Sequence, residues 1–114
     1  MTVEKVAQMA MLYDFYGQLL TEKQQQLVEL YYHHDLSLGE IAEEYGVSRQ
    51  AVHDLLKRSE KILQDYEAKL KLVAKYQRER QVLAQIRTYL QDYDPNRDAD
   101  KLTTINQLLN ELLE

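Results

Sequence analysis

The apolar residues of this chain recur at intervals of three and four, which is the period of an amphipathic helix. Alternation of apolar and polar residues, the mark of a half-buried strand, is absent. A first helix is predicted over about residues 3–20. Thr21 and Gln24 have the spacing of a capping box, so a second helix should begin there and end near residues 34–35. The pattern predicts an all-α fold.

The segment SLGEIAEEYGVSRQAVHDLLKRSE, which begins at Ser37, has the layout of a helix, a tight turn and a second helix. Ser37 and Ser48 are of the type that caps helix N-termini, and Glu40 completes a capping box with the first serine. Gly46 stands where the chain must take a positive φ between the helices. Together these features predict a helix-turn-helix, whose second helix enters the DNA major groove. The alternative is an ordinary αα-hairpin, which uses the same caps and glycine.

The second helix of this motif has one apolar face, formed by Val52, Leu55 and Leu56 at helical spacing. When that face turns inward, four polar side chains share the outer face: Arg49, Gln50, His53 and Lys57. Arginine and glutamine make bidentate contacts with guanine and adenine edges. Lys57 and the neighbouring Arg58 suit phosphate contacts. The outer face is therefore a candidate nucleic-acid-binding surface.

Arg49 is unusual because a cation in the first turn of a helix opposes the helix dipole, at a cost of about 0.3–1 kcal/mol. A phosphate bound at that helix start would reverse the sign of the effect. The alternative is that Arg49 is a surface arginine that the fold tolerates.

Acidic residues close to the motif weigh against tight DNA binding. Residues 37–61 contain four Lys or Arg and five Asp or Glu, among them Asp54 and the pair Glu43–Glu44. Binding to DNA draws heavily on positive charge. Weak nucleic-acid binding, or a protein partner for the same surface, is therefore an open alternative.

Length and composition set the class of protein. The chain has 114 residues, a net charge of −5 and no cysteine. Its size predicts a single domain, with a helix-turn-helix core over about residues 18–62 and a helical, dimerising extension over about residues 63–114. Without cysteine there are no disulfides or thiolate metal sites, which fits the cytoplasm. The N-terminus does not have the pattern of a signal peptide, and no apolar run is long enough to insert into a membrane.

Charge is distributed unevenly along the chain. Residues 57–80 contain eight basic and four acidic side chains. This stretch is interpreted as a solvated helix face with pairs such as Glu67–Lys71, and the alternative is a track for a nucleic-acid backbone.

Residues 48–93 contain neither glycine nor proline, and their apolar positions follow a heptad-like seam. One straight helix of that length would measure about 70 Å, far more than the radius of gyration of about 13 Å expected for a compact chain of this size. The helix must break or pack against a second copy, and the polar stretch at residues 77–81 is the predicted break.

A final helix is predicted over about residues 98–113, after Pro95. Its apolar stripe either folds back on residues 62–90 or meets a second subunit. That stripe consists of Leu102, Ile105, Leu108, Leu109 and Leu112. A homodimer is the preferred interpretation because paired readers bind two half-sites, and a closed monomeric bundle is the alternative.

Catalysis is not predicted, and neither is any cofactor or metal. The cluster His33-His34-Asp35 is a poor metal site because neighbouring helical residues point about 100° apart. The serines are accounted for as caps or helical positions, and a Gly-rich phosphate loop is absent from the sequence.

Residues 20–63, LTEKQQQLVELYYHHDLSLGEIAEEYGVSRQAVHDLLKRSEKIL, resemble region 4 of bacterial sigma factors. With the preceding MTVEKVAQMAMLYDFYGQLLTEKQ and the basic helix that follows, the whole chain resembles the YlxM family. These are small helix-turn-helix proteins encoded beside signal recognition particle genes. The resemblance implies a sigma-like three-helix core with a long C-terminal helical extension.

The same resemblance implies a function and a set of site residues. The function is a DNA-binding regulator associated with the signal recognition particle pathway, with RNA as a possible target. The alternative is a protein- or RNA-binding accessory factor of the particle's GTPase, without sequence-specific DNA binding. The recognition positions carried over by the resemblance are Ser48, Arg49, Gln50, His53, Lys57 and Arg58. This chain departs from the pattern of a tight DNA-binding protein at Asp54 and Glu43–Glu44, which are acidic where neutral or basic residues are common.

Overall fold

A computed structural model describes residues 2–114 of the protein. Over those residues the chain forms six α-helices, a 3₁₀ turn and a π turn, without strands, which confirms the predicted all-α fold class. The helices are α1 (Val3–Tyr16), α2 (Glu22–Val28), α3 (Leu38–Tyr45), α4 (Arg49–Leu70), α5 (Leu72–Gln91) and α6 (Ala99–Leu113). The 3₁₀ turn Gly17–Leu19 follows α1, and the π turn Glu29–His33 follows α2.

The chain divides into two compact units, and the boundary lies between Val73 and Ala74. Unit 1 ends at Val73 and contains α1 to α4, and unit 2 consists of residues 74–114. The prediction that the chain folds as one domain, with a core over about residues 18–62, stays a prediction.

In unit 1, the N-termini of α2 and α3 are capped as the sequence predicts. Thr21 Oγ1 accepts a hydrogen bond from the backbone N–H of Gln24 at 3.2 Å, and the Gln24 side chain accepts one from Thr21 N–H at 3.0 Å. Ser37 and Glu40 form the same reciprocal pair, with both distances at 3.1 Å. These bonds satisfy N–H groups that a helix start leaves without intrahelical partners. Both predicted capping boxes are confirmed.

The core of unit 1 is built around α4, which packs against α1, α2 and α3. Each helix contributes apolar side chains that are almost fully removed from solvent. They are Met9, Leu12 and Tyr16 from α1, Leu27 and Val28 from α2, Ile41 and Ala42 from α3, and Val52, Leu56 and Leu63 from α4. Because α4 touches all three partners, its rotation about its own axis is fixed by packing on several sides.

The long helical region breaks at Lys71, and the predicted break at residues 77–81 is wrong. Lys71 has φ 55° and ψ 30°, a left-handed conformation that costs a non-glycine residue about 1–2 kcal/mol. Residues 77–81 lie inside α5. Gln, Arg and Glu are good helix formers, so an exposed polar stretch of these residues does not by itself end a helix.

Two side chains from distant parts of the sequence stabilise the break. Tyr16 Oη donates a hydrogen bond to Glu67 Oε1 at 2.5 Å and accepts one from Leu72 N–H at 3.1 Å. The same Glu67 oxygen accepts from Val73 N–H at 3.0 Å. The first N–H groups of α5 are thus capped by side chains of α1 and α4, which offsets the cost of the left-handed residue between the helices.

Unit 2 is an antiparallel hairpin of α5 and α6 with a small core of its own. Val82, Ile86 and Ile105 are buried there, and Tyr89, Leu108 and Leu112 pack against them. Arg78 Nη2 lies 3.2 Å from Glu111 Oε2 and ties the start of α5 to the end of α6. The final helix begins one residue after its predicted start and ends at the predicted position.

A buried carboxylate organises the turn between these two helices. Asp98 is 6% exposed, accepts hydrogen bonds from both Arg97 Nε and Nη2 at 3.0 Å, and accepts one from Asp94 N–H at 3.1 Å. The Arg97 guanidinium lowers the pKa of Asp98 to about 2. The carboxylate is therefore charged at neutral pH and fixes the turn.

Because Lys71 is left-handed, we expect Lys71→Gly to increase the free energy of unfolding by roughly 0.5–1.5 kcal/mol. Lys69→Gly, two residues earlier in α4, removes the same side chain from a helical position and should lower it by about 0.5–1 kcal/mol. Urea denaturation followed by circular dichroism measures both. Destabilisation of equal size in the two variants would contradict the left-handed break.

Candidate nucleic-acid interface

The turn between α3 and α4 has the backbone geometry of a helix-turn-helix. Gly46 ends α3 with φ 65° and ψ 35°, and Val47 N–H donates to Ala42 O at 3.1 Å. A Cβ at Gly46 would meet nothing within 4 Å, so the positive φ, and not lack of space, is what favours glycine there. Ser48 then caps α4, since its hydroxyl accepts from Ala51 N–H at 3.0 Å. The predicted roles of Gly46 and Ser48 in the turn are confirmed.

Packing of α4 determines which of its side chains reach solvent. Val52 and Leu56 are 4% and 3% exposed, and Leu55 is half-buried against the same core. The opposite face is therefore turned outward. Of the six predicted recognition residues, Ser48, Arg49, Gln50, Lys57 and Arg58 are exposed and His53 is half-buried. Five of the six lie on α4 and Ser48 is its N-cap, but Arg49 and Arg58 are about 180° apart around the helix. The role of all six in binding stays a prediction.

Arg49 lies in the first turn of α4, and that turn contains no acidic residue. Within residues 2–114 the Arg49 side chain has no hydrogen bond or ion pair. A cation at the positive end of a helix with no compensating partner is locally unfavourable. Its guanidinium is free to contact an anion that approaches the helix start.

Asp54 lies among the predicted recognition residues and contacts several of them. Its Oδ1 accepts a hydrogen bond from Gln50 Nε2 at 2.9 Å and lies 3.4 Å from His53 Nδ1. Arg58 Nε contacts the Asp54 carbonyl oxygen at 3.5 Å. Asp54 thus orders the Gln50 amide while placing a negative charge on the same face. This carboxylate reduces the attraction of the surface for a polyanion.

Lys57 is linked to a buried carboxylate. Its Nζ lies 3.3 Å from Glu60 Oε1, and this ion pair raises the pKa of Lys57. Glu60 is only 5% exposed, and its other oxygen accepts a hydrogen bond from Tyr32 Oη at 2.5 Å. Lys5 of α1 approaches the same oxygen at 4.0 Å. We refer to Lys5, Tyr32, Lys57 and Glu60 as the Glu60 cluster.

The Glu60 cluster fixes the position of one predicted phosphate contact. Burial and the hydrogen bond to Glu60 raise the pKa of Tyr32, so its hydroxyl stays a donor. A buried carboxylate is tolerated only when it is paired and hydrogen-bonded, and the cluster meets both conditions. The one signal in the sequence for this cluster is that Ser59 and Glu60 interrupt the apolar face of α4. Ser59 is also buried, and its hydroxyl donates to Leu55 O at 2.8 Å.

Among residues 2–114, no helix has both the length and the apolar character that crossing a membrane requires.

The fold and the geometry of the turn define a helix-turn-helix protein. The chain matches, over residues 3–109, the UPF0122 family described as "Putative helix-turn-helix protein, YlxM / p13 like". It belongs to this family, and the resemblance drawn from the sequence is confirmed.

Several relatives are similar over nearly their full length, and each is named UPF0122 protein. One from Desulforamulus reducens is 49% identical over 104 residues, covering 91% of this chain and 89% of that protein. One from Limosilactobacillus reuteri is 49% identical over 112 residues, covering 98% and 95%. One from Anoxybacillus flavithermus is 52% identical over 94 residues, covering 82% and 86%.

We expect Tyr32→Phe to lower the free energy of unfolding by about 1–3 kcal/mol, because the buried Glu60 carboxylate loses a hydrogen-bond donor. Tyr31→Phe removes a hydroxyl from the adjacent residue and should change stability by less than about 0.5 kcal/mol. Thermal and urea unfolding of the two variants provide the comparison. Equal effects would show that the Tyr32–Glu60 bond contributes little.

Proposed function

We propose that this protein is a non-enzymatic DNA-binding regulator that acts in the cytoplasm and reads DNA with the first turns of α4. The observation that carries the proposal is the outward orientation of Arg49 at the start of that helix, where it has no partner within residues 2–114. Membership of a helix-turn-helix family supports a DNA-binding role. An association with the signal recognition particle pathway rests on the resemblance to the YlxM family.

In this proposal the recognition residues divide into two groups. Arg49 and Gln50 contact base edges in the major groove, because their side chains can make paired hydrogen bonds with guanine and adenine. Lys57 and Arg58 contact phosphates and position the helix without reading the sequence. Ser48 caps the helix just before the base-reading pair, and His53 lies between the two groups, where it can contact the groove. Homodimers would present two copies of α4 to two half-sites.

Arg49 gives the sharpest test of this proposal. A preferred duplex is first selected from genomic fragments, and affinity is then measured by fluorescence anisotropy at several salt concentrations. Arg49→Ala should lower affinity for that duplex by about 1–3 kcal/mol. Arg49→Lys keeps the charge but loses the planar fork, so it should lose sequence preference while its salt dependence stays close to that of the wild type.

The control for charge is Lys69→Ala, which removes one exposed cation from the far end of the same helix. Lys69 is about 30 Å from Arg49 along α4, so sequence preference should not change. Unchanged binding of Arg49→Ala would remove Arg49 from the interface. Failure of the wild-type protein to prefer any duplex would contradict the proposed function.

A second candidate is an accessory factor that binds the signal recognition particle GTPase, or RNA, without sequence-specific DNA binding. It is supported by the exposed carboxylates near the recognition residues: Glu43, Glu44 and Asp54. A protein partner with complementary charge would use these groups, whereas DNA would be repelled by them. Residues 37–61 are close to neutral, which is compatible with such a partner.

Asp54→Asn separates the two candidates because it removes one negative charge and keeps the shape of the side chain. If DNA is the target, the variant should bind duplex DNA more tightly than the wild type. If the GTPase is the target, the variant should recover less of it in a pull-down after nuclease treatment. Recovery of no GTPase by the wild-type protein at micromolar concentrations would count against the second candidate.

A further inference from the structure

A cleft lies beside α4, where that helix meets α1 and the π turn. It encloses about 270 Å³, and a water molecule takes about 30 Å³ of liquid volume, so the cleft has room for a small polar group. We call it the α1–α4 cleft. Two leucines line it together with six polar or aromatic side chains: Lys5, Tyr31, Tyr32, His53, Lys57 and Glu60.

The α1–α4 cleft carries more positive than negative charge. Lys5 Nζ lies 4.0 Å from one oxygen of Glu60, and Lys57 Nζ lies 3.3 Å from the other. One carboxylate therefore gathers two ammonium groups, and one positive charge is left over. Glu60 is the only acidic residue that lines the cleft in the described part of the chain. Asp54 lies outside the cleft, but its carboxylate is 3.4 Å from His53 Nδ1, so His53 does not add to the excess.

The opposite charges in the cleft differ in their exposure. The Glu60 side chain is 6% exposed, while those of Lys5 and Lys57 are 41% and 53% exposed. Glu60 Oε2 also accepts the hydrogen bond from Tyr32, so both carboxylate oxygens have partners. Each ammonium group has three N–H donors, and most of these remain available. A group that enters the cleft from solvent therefore meets cationic donors and not the carboxylate.

Tyr31 adds a neutral donor to the same cleft. Its ring packs edge-on against that of Tyr32, with the ring centres 5.0 Å apart, which restricts the side chain. The Tyr32 hydroxyl is engaged by Glu60, whereas within residues 2–114 the Tyr31 hydroxyl has no hydrogen bond. A hydroxyl that lines a cationic cleft without an internal partner is suited to donate to an anionic oxygen.

The donors of the α1–α4 cleft suit a phosphate group. Lysine and tyrosine side chains are both among the groups that contact DNA phosphates. A phosphate carries negative charge on oxygens that accept several hydrogen bonds, so it can contact both ammonium groups and the Tyr31 hydroxyl together. It would also compensate the positive charge that Glu60 leaves over.

The position of the cleft along α4 favours a nucleic-acid backbone as the source of this phosphate. At about 100° per residue, Arg49, His53 and Lys57 lie within about 80° of one another around the helix. Lys57 is about 12 Å from Arg49 along the helix axis, a distance similar to the width of the major groove, which is about 12 Å. When Arg49 contacts base edges, a backbone that borders the groove is within reach of Lys57 and of the cleft beside it.

We propose that the α1–α4 cleft binds a backbone phosphate of the nucleic acid that α4 reads. Lys5, Lys57 and Tyr31 are the donors, and Glu60 positions the two lysines. The inference rests on the proposed function and extends its contact surface from α4 to α1 and the π turn. Lys5 and Tyr31 are not among the six predicted recognition residues. Because phosphate contacts carry no direct sequence information, the cleft should raise affinity for every duplex by the same factor.

Lys5→Gln tests the cleft by fluorescence anisotropy at several salt concentrations, with the preferred duplex and a random-sequence duplex. The variant should bind both duplexes less tightly by the same factor, roughly three- to tenfold at about 0.1 M salt. The slope of log affinity against log salt concentration should become shallower by about 0.9. Lys5→Arg keeps the charge and should bind like the wild type. The matched control, Lys69→Gln, removes an exposed lysine from the far end of α4 and should leave the slope unchanged.

Tyr31→Phe separates the hydrogen bond from the charge, because it removes the hydroxyl and keeps the ring. It should weaken binding to both duplexes roughly threefold or more. Its salt slope should equal that of the wild type, a combination that loss of a cation does not give. Circular dichroism establishes that each variant is folded.

Binding by Lys5→Gln that equals binding by Lys69→Gln would overturn the cleft, even if the wild-type protein prefers one duplex. If the wild-type protein binds no nucleic acid, the proposed function fails and the cleft is tested alone. Inorganic phosphate is then titrated at constant ionic strength and followed by NMR of the backbone amides. Shifts at Tyr31 and Lys57 that Lys5→Gln abolishes would support a phosphate site whose ligand is a free phosphate compound. Absence of such shifts would overturn the cleft as well.

Discussion

Burial of one face of α4 is the constraint on which the rest of unit 1 depends. Val52, Leu56 and Leu63 are held against α1, α2 and α3, and this contact fixes the rotation of the helix about its axis. Every outward side chain of the candidate interface takes its direction from that rotation. The buried face also contains Glu60, so the same constraint draws a carboxylate into the core and requires the partners that surround it. The core and the interface are thus two sides of one packing arrangement.

Three locally unfavourable features differ in what compensates them. The left-handed Lys71 is stabilised by Tyr16 and Glu67, which cap the next helix. The buried Glu60 carboxylate is satisfied by a tyrosine and two lysines. Arg49, in contrast, opposes the dipole of α4 and has no compensating contact within residues 2–114. A residue whose free-energy cost the fold leaves without compensation is typically one that contacts a partner outside the chain. This contrast distinguishes Arg49 from Lys71 and Glu60.

The parts of the fold that the sequence predicted well depend on short-range rules. Capping boxes at Thr21 and Ser37, the positive φ at Gly46 and the cap at Ser48 each need only neighbouring residues. The break at Lys71 was predicted in the wrong place because its cause, a hydrogen bond from Leu72 to Tyr16, joins positions 56 residues apart. Most of the Glu60 cluster was missed for the same reason, since Lys5 comes from α1 and Tyr32 from the π turn. The exposure of most of the predicted recognition residues followed from the apolar face of α4. No periodic pattern could show that the Asp54 carboxylate accepts a hydrogen bond from the Gln50 amide.

The near-neutral charge of the helix-turn-helix limits how tightly a single copy of the motif can bind DNA. One copy of a near-neutral helix-turn-helix gains little DNA affinity from counterion release, because this contribution grows with the number of phosphates that basic side chains neutralise. When two copies of the motif are joined, the second DNA contact becomes intramolecular. The apparent affinity then rises without any new contact at either site. An acidic helix-turn-helix protein would therefore depend on pairing more than a strongly basic one does.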